Sequence, residues 1–369
     1  MLKSIRRIAG SPDRSLRILV DIIHPAHVHF FRYPLRILKD HGHEILITSR
    51  AKECAVNLLD ELGLDHQTIS SQSGRGVLPL GRELVVRDRA LYKVARSFRP
   101  NVMAGIGGVF IAHVGAVARI PSLAFYDTEN ATLQNAITYP FASCVIVPEC
   151  YRAWVPDRRH IRYAGYHELS YLRPGYFTPD RARALANGLD PARETFLLRL
   201  VSWQASHDIG ERGWSPELLD TVVTWLSERG KILISAEGPL PERHQPLRYR
   251  GRVSELHHVM AYCRALIGES ATMASECAVL GIPSIYAAQT GRGYTDEQQS
   301  RYGLVKNVKQ LTWGTLNTAM EQILRHPAGY WQSMRQRLLD DTCDVAAFVA
   351  DCIERFPVPL HEYQRARVH

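Results

Sequence analysis

The stretch Gly268 to Pro283 constrains this chain more than any other, because it carries a complete strand-to-helix-to-strand transition in sixteen residues (GESATMASECAVLGIP). It reads as a strand end, a tight loop, a short helix, a Gly stop at Gly281 and a Pro before a new strand, Ser284-Ile285-Tyr286. Ser270, Ala271 and Ala274 are small enough to let a ligand approach the backbone where the helix begins. The first helical amides are unpaired and carry the positive end of the helix dipole, so they suit a phosphate. Glu276 follows Thr272 by one turn and projects on the side of the helix start. A carboxylate there can accept from two ribose hydroxyls while the amides hold a diphosphate. The alternative is an ordinary βα unit with a solvated Glu. Gly268, Glu269, Ser270, Ala271, Thr272 and Glu276 are therefore the nucleotide-side candidates.

The chain before this stretch repeats the same alternation. Arg17–Ile23 (RILVDII) is a continuous apolar run of the kind a buried parallel strand needs. His24-Pro25-Ala26-His27-Val28-His29 reads as a loop, followed by a helix to His41 that Pro34 should kink or delay. Gly42 ends the helix and Glu44–Thr48 is a second strand. Three histidines thus surround the C-terminal end of the first strand, where open α/β sheets place their ligands. Imidazole is suited to proton transfer near neutral pH, which makes His27 and His29 candidate bases or substrate contacts. Surface histidines, a cap or a metal site are the other readings, and no Asp or Glu joins them at metal-ligand spacing.

Residues 51–62 read as a helix stopped by Gly63, and 70–81 as a Ser/Gly-rich mobile loop. Glu83–Phe98 is amphipathic and basic, with Arg82, Arg87, Arg89, Lys93, Arg96 and Arg99 along it. Such a helix can lie on an anionic membrane, but a core-facing helix with a solvated basic face is the favoured reading. A strand and Gly-rich loop at 101–108, a helix at 109–119 and a strand at 120–126 follow. They lead to Asp127-Thr128-Glu129-Asn130-Ala131 on the ligand-binding rim. Asp127 and Glu129 point the same way if the strand persists, and either Asp127 or Thr128 could instead cap the 130–137 segment. Ser143–Val147 is a further strand.

Tyr163–Asp180 is rich in Gly, Pro and Tyr and reads as a hinge. Strand 194–200, a polar loop 201–208 holding Ser202 and His207, helix 216–229, strand 231–235, helix 253–263 and strand 264–268 make a second α/β unit. Ser202 and His207 are further nucleotide-side candidates. Residues 287–302 read as a polar loop, and helices 316–326 and 329–356 close the chain. The expected division is an acceptor-side domain at 1–168, a hinge at 169–190 and a nucleotide-binding domain at 191–330. A C-terminal helical segment at 331–369 is expected to pack back on the first domain. Two such units facing each other make a cleft lined by loops from both.

A length of 369 residues agrees with two domains, and the net charge of +8 favours an anionic partner. The cysteines at 54, 144, 150, 263, 277, 343 and 352 are scattered without a C-x-x-C pair, as expected of reduced core thiols in a cytosolic protein. No apolar run reaches the length of a membrane span, and residues 1–16 lack the apolar core of a signal peptide. No G-x-G-x-x-G, Walker A or Gly-x-Ser-x-Gly motif occurs, which removes support from redox-cofactor and acyl-transfer chemistry. The basic residues are dispersed and form no nucleic-acid-binding module.

The run AGIGGVFIAHVGAVARIPSLAFYDTENA resembles the Gly-Gly loop, helix, strand and EQNA loop of the N-acetylglucosaminyltransferases that make lipid II. The run VSELHHVMAYCRALIGESATMASECAVLGIPSI resembles their nucleotide-sugar motif, whose helix carries a ribose-binding Glu. Both are signatures of the GT-B superfamily, two Rossmann-like domains facing across a cleft. That superfamily includes the UDP-N-acetylglucosamine 2-epimerases, whose SGGxxEE motif aligns with Glu269 to Glu276. The N-terminal DIIHPAHVHFF is similar to a branch of GT-B-like proteins known as a domain of unknown function. The resemblance implies Glu276 at the ribose, Ser270, Ala271 and Thr272 at the diphosphate, Glu129 in place of the Glu of EQNA, and His27 in the acceptor-activating loop. HPAHVH replaces the transferases' GGxGGH, and the epimerases' HxEAGLR and HRxEN have no match. The implied function is transfer of a sugar from a nucleotide, UDP first, to a glycan or lipid-linked acceptor. His27 or His29 would take the acceptor proton, with Glu129 and Asp127 beside them, and no metal or other cofactor is called for. A nucleotide-sugar 2-epimerase ranks second, and a non-catalytic binding protein of the same fold third. The implied location is cytoplasmic, with peripheral membrane contact open to the basic segments.

Overall fold

The computed structural model describes residues 15–51, 53–71, 77–201 and 213–367. Ser202, His207, the N-terminal stretch and residues 72–76 of the expected Ser/Gly-rich loop lie outside them; the rest of that loop is not loop, since 70–71 end a strand and 77–81 open the helix Val77–Phe98. The strands are β1 (Arg17–Ile22), β2 (Glu44–Ala51), β3 (His66–Ser71), β4 (Val102–Ile106), β5 (Ser122–Phe125), β6 (Cys144–Pro148) and β7 (His160–Tyr163) in the first half. The second half holds β8 (Thr195–Leu200), β9 (Lys231–Ala236), β10 (Ala265–Gly268), β11 (Ser284–Ala287) and β12 (Val305–Val308). They form a seven-stranded sheet, β3-β2-β1-β4-β5-β6-β7, and a five-stranded sheet, β12-β11-β10-β8-β9. Every pairing is parallel, and every crossover within a sheet except β6 to β7 carries a helix. The fold is α/β, built on two parallel sheets.

Each sheet reverses its strand order once, between β1 and β4 in the first and between β8 and β10 in the second. Loops at the C-terminal ends of strands diverge there and leave a crevice. The histidines after β1, the Gly107-Gly108 turn after β4 and the Gly268–Thr272 loop after β10 all sit at these two positions.

The apolar runs became the central strands. Ile18, Leu19, Val20 and Ile22 of β1 are fully buried. Asp21 interrupts them, and its carboxylate accepts from Thr48 Oγ1 and Arg87 Nη2 at 2.7 Å each. Burial raises the Asp21 pKa, and the Arg87 guanidinium works against that rise. Arg87 is itself fully buried on the helix Val77–Phe98, so it does not belong to that helix's solvated basic face. β3 and β7 were not legible as strands. Both are edge strands of mixed polarity (HQTISS and HIRY), and an edge needs no continuous apolar run.

The segment after β1 is helical from the start. The helix runs Pro25–Asp40, with His24 as its cap and Pro25 in its first turn, the position where a missing N–H costs nothing. Pro34 lies inside the helix and neither delays nor ends it. Its missing N–H frees the carbonyl of Phe30, and the Ser170 hydroxyl donates to that oxygen at 3.0 Å. The expected helix at 253–263 is a 3₁₀ turn, Val253–Glu255, running into a short α-helix, Leu256–Met260. The expected polar loop at 287–302 contains a helical turn, Gly293–Glu297, and a π-helical one, Gln298–Tyr302. The single helix expected at 329–356 is two, Ala328–Asp341 and Val345–Glu354, the second capped by Asp344, which accepts from the Ala347 amide at 3.0 Å. Ala328–Asp341 packs on Ala271–Leu280, while Val345–Glu354 crosses to Pro25–Asp40 and the short helix Leu169–Leu172.

Candidate active site

The helix Ala271–Leu280 begins where β10 meets β8. A Cβ on Gly268 would lie 2.1 Å from the Arg199 carbonyl oxygen, so only glycine lets the two strands approach this closely. Ser270 caps the helix, its hydroxyl accepting from the Met273 amide at 3.3 Å. The amides of Ala271 and Thr272 lie in the first turn, beyond the reach of intrahelical acceptors. Glu269 faces the other way. Its two oxygens accept from the amides of Val201 and Trp214 at 2.9 Å each, so it ties together the two ends of the segment that follows β8.

Glu276 is not solvated; it is 5% exposed. Its Oε1 accepts from Tyr171 Oη at 2.8 Å and lies 2.8 Å from His257 Nε2. Tyr171 belongs to Leu169–Leu172, in the segment that leaves the first sheet, so the carboxylate is gripped from both halves. His29 joins this group. Its ring stacks on Tyr171 with centroids 5.2 Å apart and meets His257 edge-on at 4.7 Å. Burial, then the neighbouring His257 and Arg32, hold its pKa well below the usual histidine value, so it is neutral.

The other two histidines after β1 bind the backbone. His24 Nδ1 accepts from the Ala26 amide at 3.2 Å and His27 Nδ1 from the Ile23 amide at 3.5 Å. They shape the helix start, and the helical geometry places His27 and His29 in its first turns.

β5 ends at Phe125, so Asp127 and Glu129 do not alternate along a strand. Neither Asp127 nor Thr128 caps the next helix, which is Thr132–Thr138, with Ala131 at its cap position and no side-chain cap. Asp127 Oδ2 instead lies 3.2 Å from His167 Nδ1, and Thr128 Oγ1 donates to Oδ1 at 2.9 Å. Burial opposes its charge, yet the His167 ring, the hydrogen bonds and Arg292 bring its pKa down to about 2. Glu129 crosses to the second half. It accepts from the Gly293 amide at 3.1 Å and from the Arg152 amide at 3.4 Å. Burial raises its pKa despite those bonds. A Cβ at Gly293 would sit 2.5 Å from the Cys150 carbonyl oxygen, so this approach also requires glycine.

His167, Glu168, Tyr171, His257, Arg292 and Gly293 were not singled out from the sequence. Five of them lie in the stretches read as hinge or polar loop (163–180 and 287–302), and the density of ionisable and aromatic residues in YHELSY was the available signal. Glu168 Oε2 accepts from Ser275 Oγ at 2.7 Å, and Gln298 Nε2 donates to the same hydroxyl at 2.7 Å. Burial, followed by the Asp127 charge, pushes the Glu168 carboxyl up to about 8.

Among the described residues, His41, His43 and Glu354 are the group with spacing to hold a metal ion. His43 Nδ1 accepts from the Leu16 amide at 3.2 Å, which leaves the proton on Nε2, facing Glu354 Oε1 at 3.1 Å. The group is thus a hydrogen-bonded clasp between the end of Pro25–Asp40 and Val345–Glu354. No helix among the described residues is long and apolar enough to cross a membrane.

Residues 16–293 match a family described as "Protein of unknown function (DUF354)". The chain belongs to that family. An uncharacterized protein of Methanocaldococcus jannaschii, MJ0665, is 22% identical over 287 residues, covering 73% of this chain and 81% of its own. Among solved structures, the UDP-GlcNAc 2-epimerase of Neisseria meningitidis bound to UDP-GlcNAc superposes with a TM-score of 0.65 at 10% identity, covering 94% of this chain and 100% of that one. The glycotransferase of kitacinnamycin superposes with a TM-score of 0.62 at 14% identity, covering 93% and 99%. At such identities the likeness defines the fold: this is the GT-B architecture, shared with glycosyltransferases and UDP-GlcNAc 2-epimerases.

Proposed function

We propose that the protein transfers a sugar from a nucleotide donor, UDP-linked in the first instance, to a hydroxyl of a glycan or lipid-linked acceptor. The observation that carries this reading is the place of Glu276: buried, one turn inside Ala271–Leu280, at the order reversal of the second sheet. In that place the Ala271 and Thr272 amides would hold the diphosphate and take up the charge of the leaving group, while Glu276 bonds the ribose. The reading calls for no divalent ion. It places the donor against the second half and the acceptor against the rim formed by the segment after β1 and by Asp127 and Glu129. Catalysis then rests on placement and electrostatics.

Calorimetry with UDP tests the donor site. Glu276→Ala should weaken UDP binding by about tenfold or more, the loss of at least one charge-assisted hydrogen bond at roughly 1.5–3 kcal/mol. Equal affinity in the variant and the wild type would remove the assignment. A thermal-shift panel of nucleotides and nucleotide sugars identifies the base and sugar, since a ligand at a hundred times its dissociation constant adds about 2.7 kcal/mol.

The likeness to the Neisseria meningitidis epimerase favours a second reading, epimerisation at C2 of a UDP-N-acetylhexosamine. That reaction needs no acceptor. Protein incubated with UDP-N-acetylglucosamine alone would yield UDP-N-acetylmannosamine by NMR, and an unchanged spectrum rejects it for that substrate.

A further inference from the structure

We propose that His167, oriented by Asp127, is the group that takes the proton from the incoming hydroxyl, in place of the histidines that follow β1. The inference rests on the transfer reading above and deepens it.

The tautomers separate the candidates. A neutral imidazole that accepts at Nδ1 carries its proton on Nε2. His24 and His27 both accept backbone amides at Nδ1, so in each the remaining nitrogen is a donor and has no lone pair to offer. His29 lies between Tyr171 and His257, where burial makes it a poor proton acceptor. His167 has the opposite arrangement. Its Nδ1 lies 3.2 Å from Asp127 Oδ2, and that carboxylate charge holds the proton on Nδ1 and leaves the lone pair on Nε2. That nitrogen is enclosed and has no hydrogen-bond partner among the described residues, although the side chain is only 6% exposed. Leaving a buried polar atom without a partner is costly, so it calls for a partner that arrives in another state of the molecule. The Phe30 ring, with its centroid 4.4 Å from the imidazole, fixes the ring from one side.

The place also fits. The residues flanking His167 both reach the second half: Tyr166 Oη donates to Glu297 Oε2 at 2.8 Å, and Glu168 accepts from Ser275 at 2.7 Å. Ser275 precedes Glu276 on the helix assigned to the donor. His167 therefore stands on the seam between the two halves, and a hydroxyl reaches Nε2 when that seam parts to admit substrate. Asp127 stays ionised through the neutral range and stabilises the imidazolium that forms. In the step, the acceptor oxygen bonds to the anomeric carbon and its proton passes to His167 Nε2. The anomeric C–O bond to the diphosphate breaks, and the diphosphate leaves with the bonding pair. The proton is later returned to solvent.

Two measurements on the full chain test this. In a long-range proton–nitrogen NMR spectrum, with His167 assigned by its loss in His167→Gln, neutral His167 should show a protonated Nδ1 and a bare Nε2. Asp127→Asn should disturb that preference. A proton on Nε2 in the wild type overturns the proposal whatever the substrate. Release of UDP from UDP-N-acetylglucosamine, with water as acceptor, should fall about a hundredfold or more in His167→Gln while the dissociation constant for UDP stays within twofold. Wild-type turnover in His167→Gln overturns the base and leaves the nucleotide-sugar reading standing. Failure of the wild type to bind any nucleotide sinks that reading instead, and the tautomer spectrum still judges the Asp127–His167 pair.

Discussion

Replacing Glu168 by Gln should make this protein more stable at alkaline pH, and the gain can be worked from the surroundings of that carboxyl. Glu168 is 2% exposed and sits between the two halves, accepting from Ser275. Burial is the largest influence on it, the Asp127 charge raises it further, the Ser275 hydrogen bond lowers it, and Glu276 adds to the rise. The result is a shift from the ordinary 4.5 to about 8. A raised pKa means that the folded state holds the proton more tightly than the unfolded chain. The associated stability is complete below about pH 4.5 and is lost progressively as the pH climbs through about 8. At about 1.4 kcal/mol per tenfold change in proton affinity, the full loss is at most about 5 kcal/mol. Gln stays neutral throughout, and its side-chain oxygen can accept from the same Ser275 hydroxyl. Urea unfolding of the wild type and Glu168→Gln should give similar stabilities near about pH 5 and a difference of several kcal/mol in favour of the variant near about pH 9. Titrations shared by both proteins cancel in that difference. A difference that stays constant across the range would show that Glu168 ionises normally in the fold, and the account of the seam as a dry, proton-holding contact would be wrong.

Two further outcomes are expected. Arg87→Met strands the buried Asp21 carboxylate that it contacts at 2.7 Å and should cost about 3–5 kcal/mol in urea unfolding, with Asp21→Asn added in the same chain recovering part of the loss. A cost below about 1 kcal/mol would mean that Asp21 is already held neutral in the core. The helix Val77–Phe98 exposes Val85, Val86, Arg89, Lys93 and Arg96, so the protein should sediment with phosphatidylserine vesicles at low salt and release as salt is raised. Absence of sedimentation at low salt would leave that face as a solvated surface only.

Helix Ala271–Leu280 shows how much of the site was legible. Ser270 as cap, small residues at the start, Gly281 as stop and Glu276 one turn in are local features, and local chemistry decides them. The same holds for β1, β4, β8 and β10, whose predominantly apolar runs announce central parallel strands. Edge strands β3 and β7 escaped because an edge imposes no such pattern. Pro34 misled because its cost is met by Ser170, which is 140 positions distant from Phe30 in the chain.

The polar pairings in the core had no such local signature. Glu276 meets Tyr171 across 105 positions, Asp127 meets His167, Glu129 meets Gly293 across 164, and Asp21 meets Arg87. Periodicity reports which face of an element is buried, because burial of apolar area depends on the element alone. It does not report which distant group satisfies a charge or an imidazole on that face, because that depends on how the two sheets meet. The sequence by itself therefore determined two α/β units and the capped helix that carries Glu276. Only the tertiary structure decided which histidine keeps a bare nitrogen and which is spent on the backbone, since a tautomer is set by the one partner that folding brings within reach.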